Sequence, residues 1–333
     1  MPTARHRSVK AIHYPLSTIH YPLPSTLYPL PSIHRSQSQT RLGMTHLLNL
    51  TVAKITKNSL KVGALEWFYG ELSPVGGENP QTAILLHGLP SQSLTWTGVM
   101  PPLAEQGIRT IAPDWIGFGN SSKPEKRDFA YTPDAFVSAF AQMIDSLSLD
   151  RVSLVVQGFL GTVGIQYAIR YPERVEKLAI LNAPLAPGVK LPWQFQQLGL
   201  PVAGEMLTQD PLSVERLLEA GSKAVIEDNY LEVYRKPYLK SSAPGRSLLA
   251  TIRNLQLARS LAEIGTGLPK LEIPIQILWG TNDPWLDLAP AQACVKTLKR
   301  GELVTLPTAA HYPQEHWYAE INRSLIPFLR RQD

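Results

Sequence analysis

The segment Val155-Val-Gln-Gly-Phe-Leu-Gly161 has the composition of a strand that runs into a helix through a sharp glycine-rich turn. Such a turn is where a nucleophilic side chain can be held exposed at the end of a sheet. None is present here. Val156, Gln157, Gly158, Phe159 and Leu160 carry no hydroxyl, thiol or carboxylate, and Thr162 lies a turn further on, inside the helix. Ser91 and Ser93 follow the run Ile84-Leu-Leu-His-Gly-Leu-Pro90, where helix-start roles explain them. Cys294, the one cysteine, falls in a helical pattern and reads as a packing residue. The segment His311-Tyr-Pro-Gln-Glu-His316 lacks the His-Glu-x-x-His spacing that sets two zinc ligands on one helical face, and Glu315 and His316 read as helix-start and surface residues. Gly158, Gly161 and Gly164 are spaced for helix-to-sheet close packing, not as a dinucleotide fingerprint or a Walker loop. No metal or cofactor is expected.

The elements that must position these residues alternate along the chain. Leu60–Val62 and Trp67–Leu72 predict short antiparallel strands. Residues 82–88, 109–114, 152–157, 177–182, 273–280 and 302–307 predict strands, several of them continuous apolar runs of the kind buried on both faces. Helical spacing fills the intervals at 95–106, 133–147, 160–171, 289–298 and 316–330, with Thr132-Pro133 as a helix start. Strands alternating with helices imply an α/β fold with a doubly wound, mostly parallel sheet. Between Asn182 and Leu271 the alternation stops, and the stretch 183–270 predicts a helical cap over the carboxyl ends of the strands, where open α/β sheets bind ligands. The core is then divided into 44–182 and 271–333.

Residues 1–43 are of a different kind. His13-Tyr-Pro-Leu16, His20-Tyr-Pro-Leu23 and Tyr28-Pro-Leu30 recur at short intervals, and proline at that density opposes both helix and sheet. This tail is expected to be disordered. It reads as a repeat without function ahead of a start at Met44, with an organelle-targeting peptide as the other reading, because it is free of acids. Arg5, Arg7, Lys10, Arg35 and Arg41 account for the whole net charge of +5, leaving 27 bases against 27 acids in the rest. A neutral body argues against a nucleic-acid partner. No apolar run approaches the ~20 residues of a membrane span. A single cysteine fits a reducing compartment, so a soluble cytoplasmic protein is expected.

Taken in order, "LLHGLP" (85–90), "IAPDWIGFGNSSKP" (111–124), "VVQGFLG" (155–161), "YPERV" (171–175), "VYRKPYL" (233–239), "LWGTNDPWL" (278–286) and "AAHYPQEH" (309–316) resemble the α/β-hydrolase fold, in its haloalkane dehalogenase and epoxide hydrolase branch. The resemblance implies an eight-stranded sheet with an inserted cap. It places Gly158 at the nucleophile's position, Asp283 as the acid of the triad and His311 as its general base. The backbone N–H groups of Leu89 and Phe159 would form an oxyanion hole. It also implies a substrate-binding set of His87, Trp96, Tyr234 and Tyr238, the tyrosines being the cap donors used in epoxide opening.

The chain departs from the family in several places. Leu89 and Phe159 stand where dehalogenases hold the halide with Asn and Trp, Leu160 stands where a small residue is usual, and Asn182 occupies an alternative acid position. Glycine at 158 removes the strain of a side chain at the turn and could let the turn relax. The reading that follows is a hydrolase of a small apolar ester, epoxide or related substrate. It would use water activated by His311 and Asp283, without a covalent intermediate. The alternative is a catalytically inactive hydrolase-fold protein that binds a small apolar molecule or a protein partner.

Overall fold

A computed structural model describes residues 55–76, 80–226 and 228–332; the proline-rich tail and Met44 lie outside the described residues. In chain order the strands are β1 (Thr56–Val62), β2 (Leu65–Leu72), β3 (Thr82–Leu86), β4 (Arg109–Pro113), β5 (Val152–Gln157), β6 (Val175–Leu181), β7 (Ile275–Gly280) and β8 (Gly301–Leu306). They form one sheet in the order β1-β2-β4-β3-β5-β6-β7-β8. Pairing is antiparallel at β1/β2 and β2/β4 and parallel elsewhere. The expected doubly wound, mostly parallel eight-stranded sheet is present. Every residue of β3, β5 and β7 is buried, including the polar Thr82, Ser153, Gln157 and Gln276, as central strands covered on both faces require.

The helices of the core are α1 (Met100–Glu105), α2 (Pro133–Ser146) and α3 (Gly161–Arg170). The stretch between β6 and β7 holds α4 (Trp193–Gly199), α5 (Ala203–Gln209), α6 (Leu212–Ser222), α7 (Asp228–Lys240), α8 (Ala243–Asn254) and α9 (Leu257–Gly267). After β7 come α10 (Leu288–Val295), α11 (Pro313–His316) and α12 (Tyr318–Arg330). Alternate residues of the strands feed two cores. Ile84, Leu154, Val156, Leu178 and Ile277 pack with α2, α3 and α9 on one face, while Ala83, Leu85, Val155, Ala179 and Leu278 pack with α1 and α12 on the other. α2 begins as expected: the Thr132 hydroxyl accepts from the Ala135 N–H at 3.3 Å and Pro133 needs no hydrogen-bond acceptor in the first turn.

Two predicted helices are divided. The 95–106 helix is a short 3₁₀ turn at Ser93–Trp96 followed by α1, because Pro101 and Pro102 lack the N–H groups that a continuous helix would use. The 316–330 helix becomes α11 and α12, breaking at Trp317. Within the inserted stretch, α9 lies on α3 through Arg170 and Gln166, both of which donate to Glu263. Among the described residues no helix is long and apolar enough to cross a membrane.

Candidate active site

Five neighbouring strands, β3, β5, β6, β7 and β8, deliver their following loops to one edge of the sheet. Asp283 lies three residues past β7 and His311 five past β8. Their side chains meet: His311 Nδ1 and Asp283 Oδ2 are 2.8 Å apart, and both are shielded from solvent. A carboxylate can only accept, so Nδ1 carries the proton and Nε2 keeps the lone pair. Asp283 is held by three further donors. The Asn182 Nδ2 amide reaches Oδ2 at 2.8 Å, and the N–H groups of Trp285 and Leu286 reach Oδ1 at 2.8 and 3.1 Å. Asn182 is itself fixed to β7, giving to the Gly280 carbonyl and taking from the Gly280 N–H. The residue at the alternative acid position therefore orients the acid that is present.

His311 Nε2 is buried and has no hydrogen-bond partner among the described residues. It faces the elbow. A Cβ built on Gly158 would stand 3.3 Å from His311 Nε2 and 3.4 Å from Gly88 Cα. Gly158 has φ +68°, so the turn has not relaxed: the left-handed conformation of the elbow persists, and glycine adopts it at little cost. The Gly158 N–H donates to Leu181 O at 3.1 Å and its carbonyl accepts from Gly161 N, which tie the turn to β6 and to the start of α3.

Gln157, the last residue of β5, locks three loops together. Its Oε1 accepts from the Gly88 N–H at 3.1 Å and its Nε2 donates to the His311 carbonyl at 2.7 Å. A Cβ on Gly88 would lie 2.4 Å from that Oε1, so only glycine allows this approach. The N–H groups of Leu89 and Phe159 have no acceptor among the described residues, as oxyanion donors require. Thr162 does point away, giving its hydroxyl to Phe159 O at 2.8 Å.

Aromatic rings enclose the imidazole. Trp285, Tyr312 and Phe159 lie with ring centroids 4.7, 4.8 and 5.5 Å from that of His311. Phe195 of α4 closes over Phe159 and Trp285 at 6.1 and 5.3 Å. The His311 N–H donates to Gly221 O at the end of α6, so the inserted helices hold the histidine loop directly.

The remaining expected residues lie elsewhere in the network. His87 is buried with both ring nitrogens engaged: Nε2 accepts from the Trp115 N–H at 3.1 Å, so Nδ1 is the donor to Gly88 O at 2.9 Å. Burial lowers its pKa below 6.5 against the opposing pull of Asp114. Trp96 packs into the α1 face of the core. Tyr234 is buried and donates to both carboxylate oxygens of Glu315 at 3.0 Å, so it presents no free hydroxyl to the dyad. Tyr238 packs beside the same cluster, its pKa raised by burial.

Glu315 is not the surface residue expected from its position. It accepts from Thr95 and Tyr234 in the seam between the core and α7, and burial raises its pKa. His316 is half-buried, with its pKa lowered by burial. Cys294 is half-buried against the core, and burial raises its thiol pKa to about 11. Among the described residues no group of three His, Cys, Asp or Glu side chains is placed to hold a metal ion.

The family model described as "alpha/beta hydrolase fold" matches residues 83–316, from β3 to the end of α11. The chain belongs to the alpha/beta hydrolase fold family. Haloalkane dehalogenases and an epoxide hydrolase are among its relatives. A haloalkane dehalogenase of Mesorhizobium japonicum is 28% identical over 273 residues, 76% of this chain and 85% of that protein. Epoxide hydrolase 1 of Caenorhabditis elegans is 26% identical over 279 residues, 77% of this chain and 66% of the relative. The crystal structure of the haloalkane dehalogenase DbeA from Bradyrhizobium elkani superposes with a TM-score of 0.74 at 24% identity, covering 83% of this chain and 98% of that one, a likeness of fold.

Proposed function

We propose that this α/β-hydrolase-fold protein hydrolyses a small apolar ester, epoxide or related substrate by direct attack of water, without a covalent intermediate. The observation that carries the reading is His311 Nε2, a buried lone pair with no partner among the described residues, aimed at the side of Gly158 where a nucleophile would stand. In the proposed step a water beside Gly158 gives a proton to Nε2 as its oxygen attacks the substrate. The epoxide C–O bond, or the ester carbonyl π bond and then its C–O bond, breaks, and the imidazolium returns the proton to the departing oxygen. Asp283, across the ring at 2.8 Å, stabilises the imidazolium that forms. The N–H groups of Leu89 and Phe159 take up the negative charge that develops on the substrate oxygen. The rings of Phe159, Phe195 and Trp285 favour an apolar substrate and exclude bulk water. Gln157 positions both sides, since one amide spans the oxyanion loop and the histidine loop.

The enclosure also favours a second reading, a protein that binds a small apolar molecule between the same rings without turnover. Hydrolysis of an ester, epoxide and haloalkane panel, with His311→Ala beside the native protein, separates the two. Turnover that disappears in His311→Ala supports direct water chemistry. Turnover unchanged in His311→Ala, or none in either protein, rejects it.

A further inference from the structure

Three features neighbour Gly158. The imidazole Nε2 of His311 is fully buried, has no hydrogen-bond partner among the described residues and lies 3.3 Å from the point where a Gly158 Cβ would stand. The N–H groups of Leu89 and Phe159 have no acceptor among the described residues. α3, ten residues long, starts at Gly161 and directs the positive end of its dipole toward the same turn. The point where a Cβ would stand has only His311 Nε2 at 3.3 Å and Gly88 Cα at 3.4 Å within 4 Å, its chain neighbours aside, and Gly88 carries the peptide that ends in the Leu89 N–H.

From these we infer that the elbow is a binding site for a one- or two-carbon carboxylate, formate or acetate, held where the side chain of a nucleophilic aspartate would lie. One carboxylate oxygen accepts from Nε2–H of His311 and the other from the N–H groups of Leu89 and Phe159. Binding takes up one proton, because the Nε2 lone pair must become an N–H in order to donate. The inference rests on the same assignment of elbow and oxyanion donors as the proposed hydrolysis, but requires no turnover.

The chemistry selects this class of ligand. The imidazolium and Asp283 together are neutral, so the ligand's charge rests on the Nε2–H, the N–H groups of Leu89 and Phe159 and the end of α3, which suit a monoanion and leave a phosphate or sulfate dianion uncompensated. The rings of Phe159, Trp285 and Tyr312 surround the His311 imidazole, an apolar setting in which a large hydrated anion would give up its water without gaining donors for its remaining oxygens. A planar carboxylate presents its two oxygens to two separate groups of donors. With only three heavy atoms, formate is limited to a dissociation constant on the order of millimolar.

The test is a titration of the full ¹⁵N-labelled chain with sodium formate, and separately sodium acetate, against sodium chloride at equal ionic strength. The readouts are the His311 ring nitrogens and the amides of Leu89 and Phe159. The inference predicts saturable changes at all three residues with either carboxylate and none with chloride, the Nε2 resonance moving from its lone-pair position toward its N–H position. In Gly158→Asp the tethered carboxylate fills the place, and added formate produces no further change. In Gly158→Ala the methyl group fills it, and affinity falls at least tenfold. No saturable change in the native chain, equal changes with chloride, or an undiminished response in Gly158→Asp would each overturn the site. The outcome is separable from the hydrolytic reading: formate binding in a protein that turns over nothing leaves this site standing and removes the hydrolase, and the converse result does the opposite.

Discussion

His87 and His311 are both fully buried histidines at the carboxyl edge of the sheet, and they are built for opposite ends. His87 spends both ring nitrogens on backbone groups, one on the Trp115 N–H and one on the Gly88 carbonyl, and its carbonyl takes the Trp115 indole N–H as well. His311 spends only Nδ1, on Asp283, and leaves Nε2 facing Gly158. Leaving a buried polar atom unpaired costs about 1–3 kcal/mol, so a purely structural histidine is expected to resemble His87. The contrast separates a ring with both nitrogens committed to backbone groups from a ring with one nitrogen left open. The elbow shows the same division at backbone level. Gly158 offers no side chain and holds a left-handed turn, while the N–H groups of Leu89 and Phe159 have no acceptor among the described residues.

The sharpest way to break this contrast is to remove each ring. His311→Ala should lower kcat/KM by about 10²- to 10⁴-fold, the usual contribution of a positioned base, on top of the stability lost with a buried ring bonded to Asp283. His87→Ala should lose about 1–3 kcal/mol in urea unfolding, because the Trp115 N–H is left buried without an acceptor, with a smaller fall in kcat/KM than His311→Ala. Gln157→Leu tests the amide that joins the two sides. It strands the Gly88 N–H and the His311 carbonyl and should cost about 1–3 kcal/mol for each, measured by the same unfolding, with turnover falling as the loops separate.

A smaller effect comes from pH. Burial depresses the His87 pKa below 6.5, so between its folded value and 6.5 the unfolded chain binds a proton that the native ring refuses. Stability from this group is complete above pH 6.5 and is lost as pH falls through that window. The stability gap between the native chain and His87→Gln should therefore narrow below pH 6.5 in thermal unfolding at stepped pH. The smallest expected effect is Tyr234→Phe, which removes one hydrogen bond to Glu315 and should cost about 1 kcal/mol without abolishing turnover, since that hydroxyl is committed away from the dyad.

The sheet is legible in the sequence because β3, β5 and β7 are mostly apolar runs, interrupted by Thr82, Ser153, Gln157 and Gln276, and such runs are stable when buried on both faces. The break between Trp96 and Met100 is a local matter that Pro101 and Pro102 announce. The positions of Gly158, Asp283 and His311 follow from motif order, and the structure brings the latter two into contact. The positioning residues are harder to read. Gln157 meets the His311 carbonyl across 154 positions, Asn182 meets Asp283 across 101 and Tyr234 meets Glu315 across 81. Nothing local marks a glutamine, an asparagine or a tyrosine for such a bond; only the closing of the sheet makes them neighbours. A polar residue at the carboxyl end of a buried strand, as at Gln157 and just after β6 at Asn182, is the one signal that could have pointed to them. The burial of Glu315 is hidden from the sequence for the same reason, because its partners come from the 3₁₀ turn and from α7.

Whether water or a protein side chain attacks the substrate beside Gly158 is decided by a single turnover in H₂¹⁸O, with the protein in excess over an ester or epoxide that the panel identifies and with the intact mass of the protein followed in parallel. If water attacks, ¹⁸O enters the product in the first turnover, the protein mass never shifts, and His311→Ala yields no labelled product. A first-turnover product whose new oxygen is ¹⁶O drawn from the protein, or a transient adduct on the chain, would contradict attack by water.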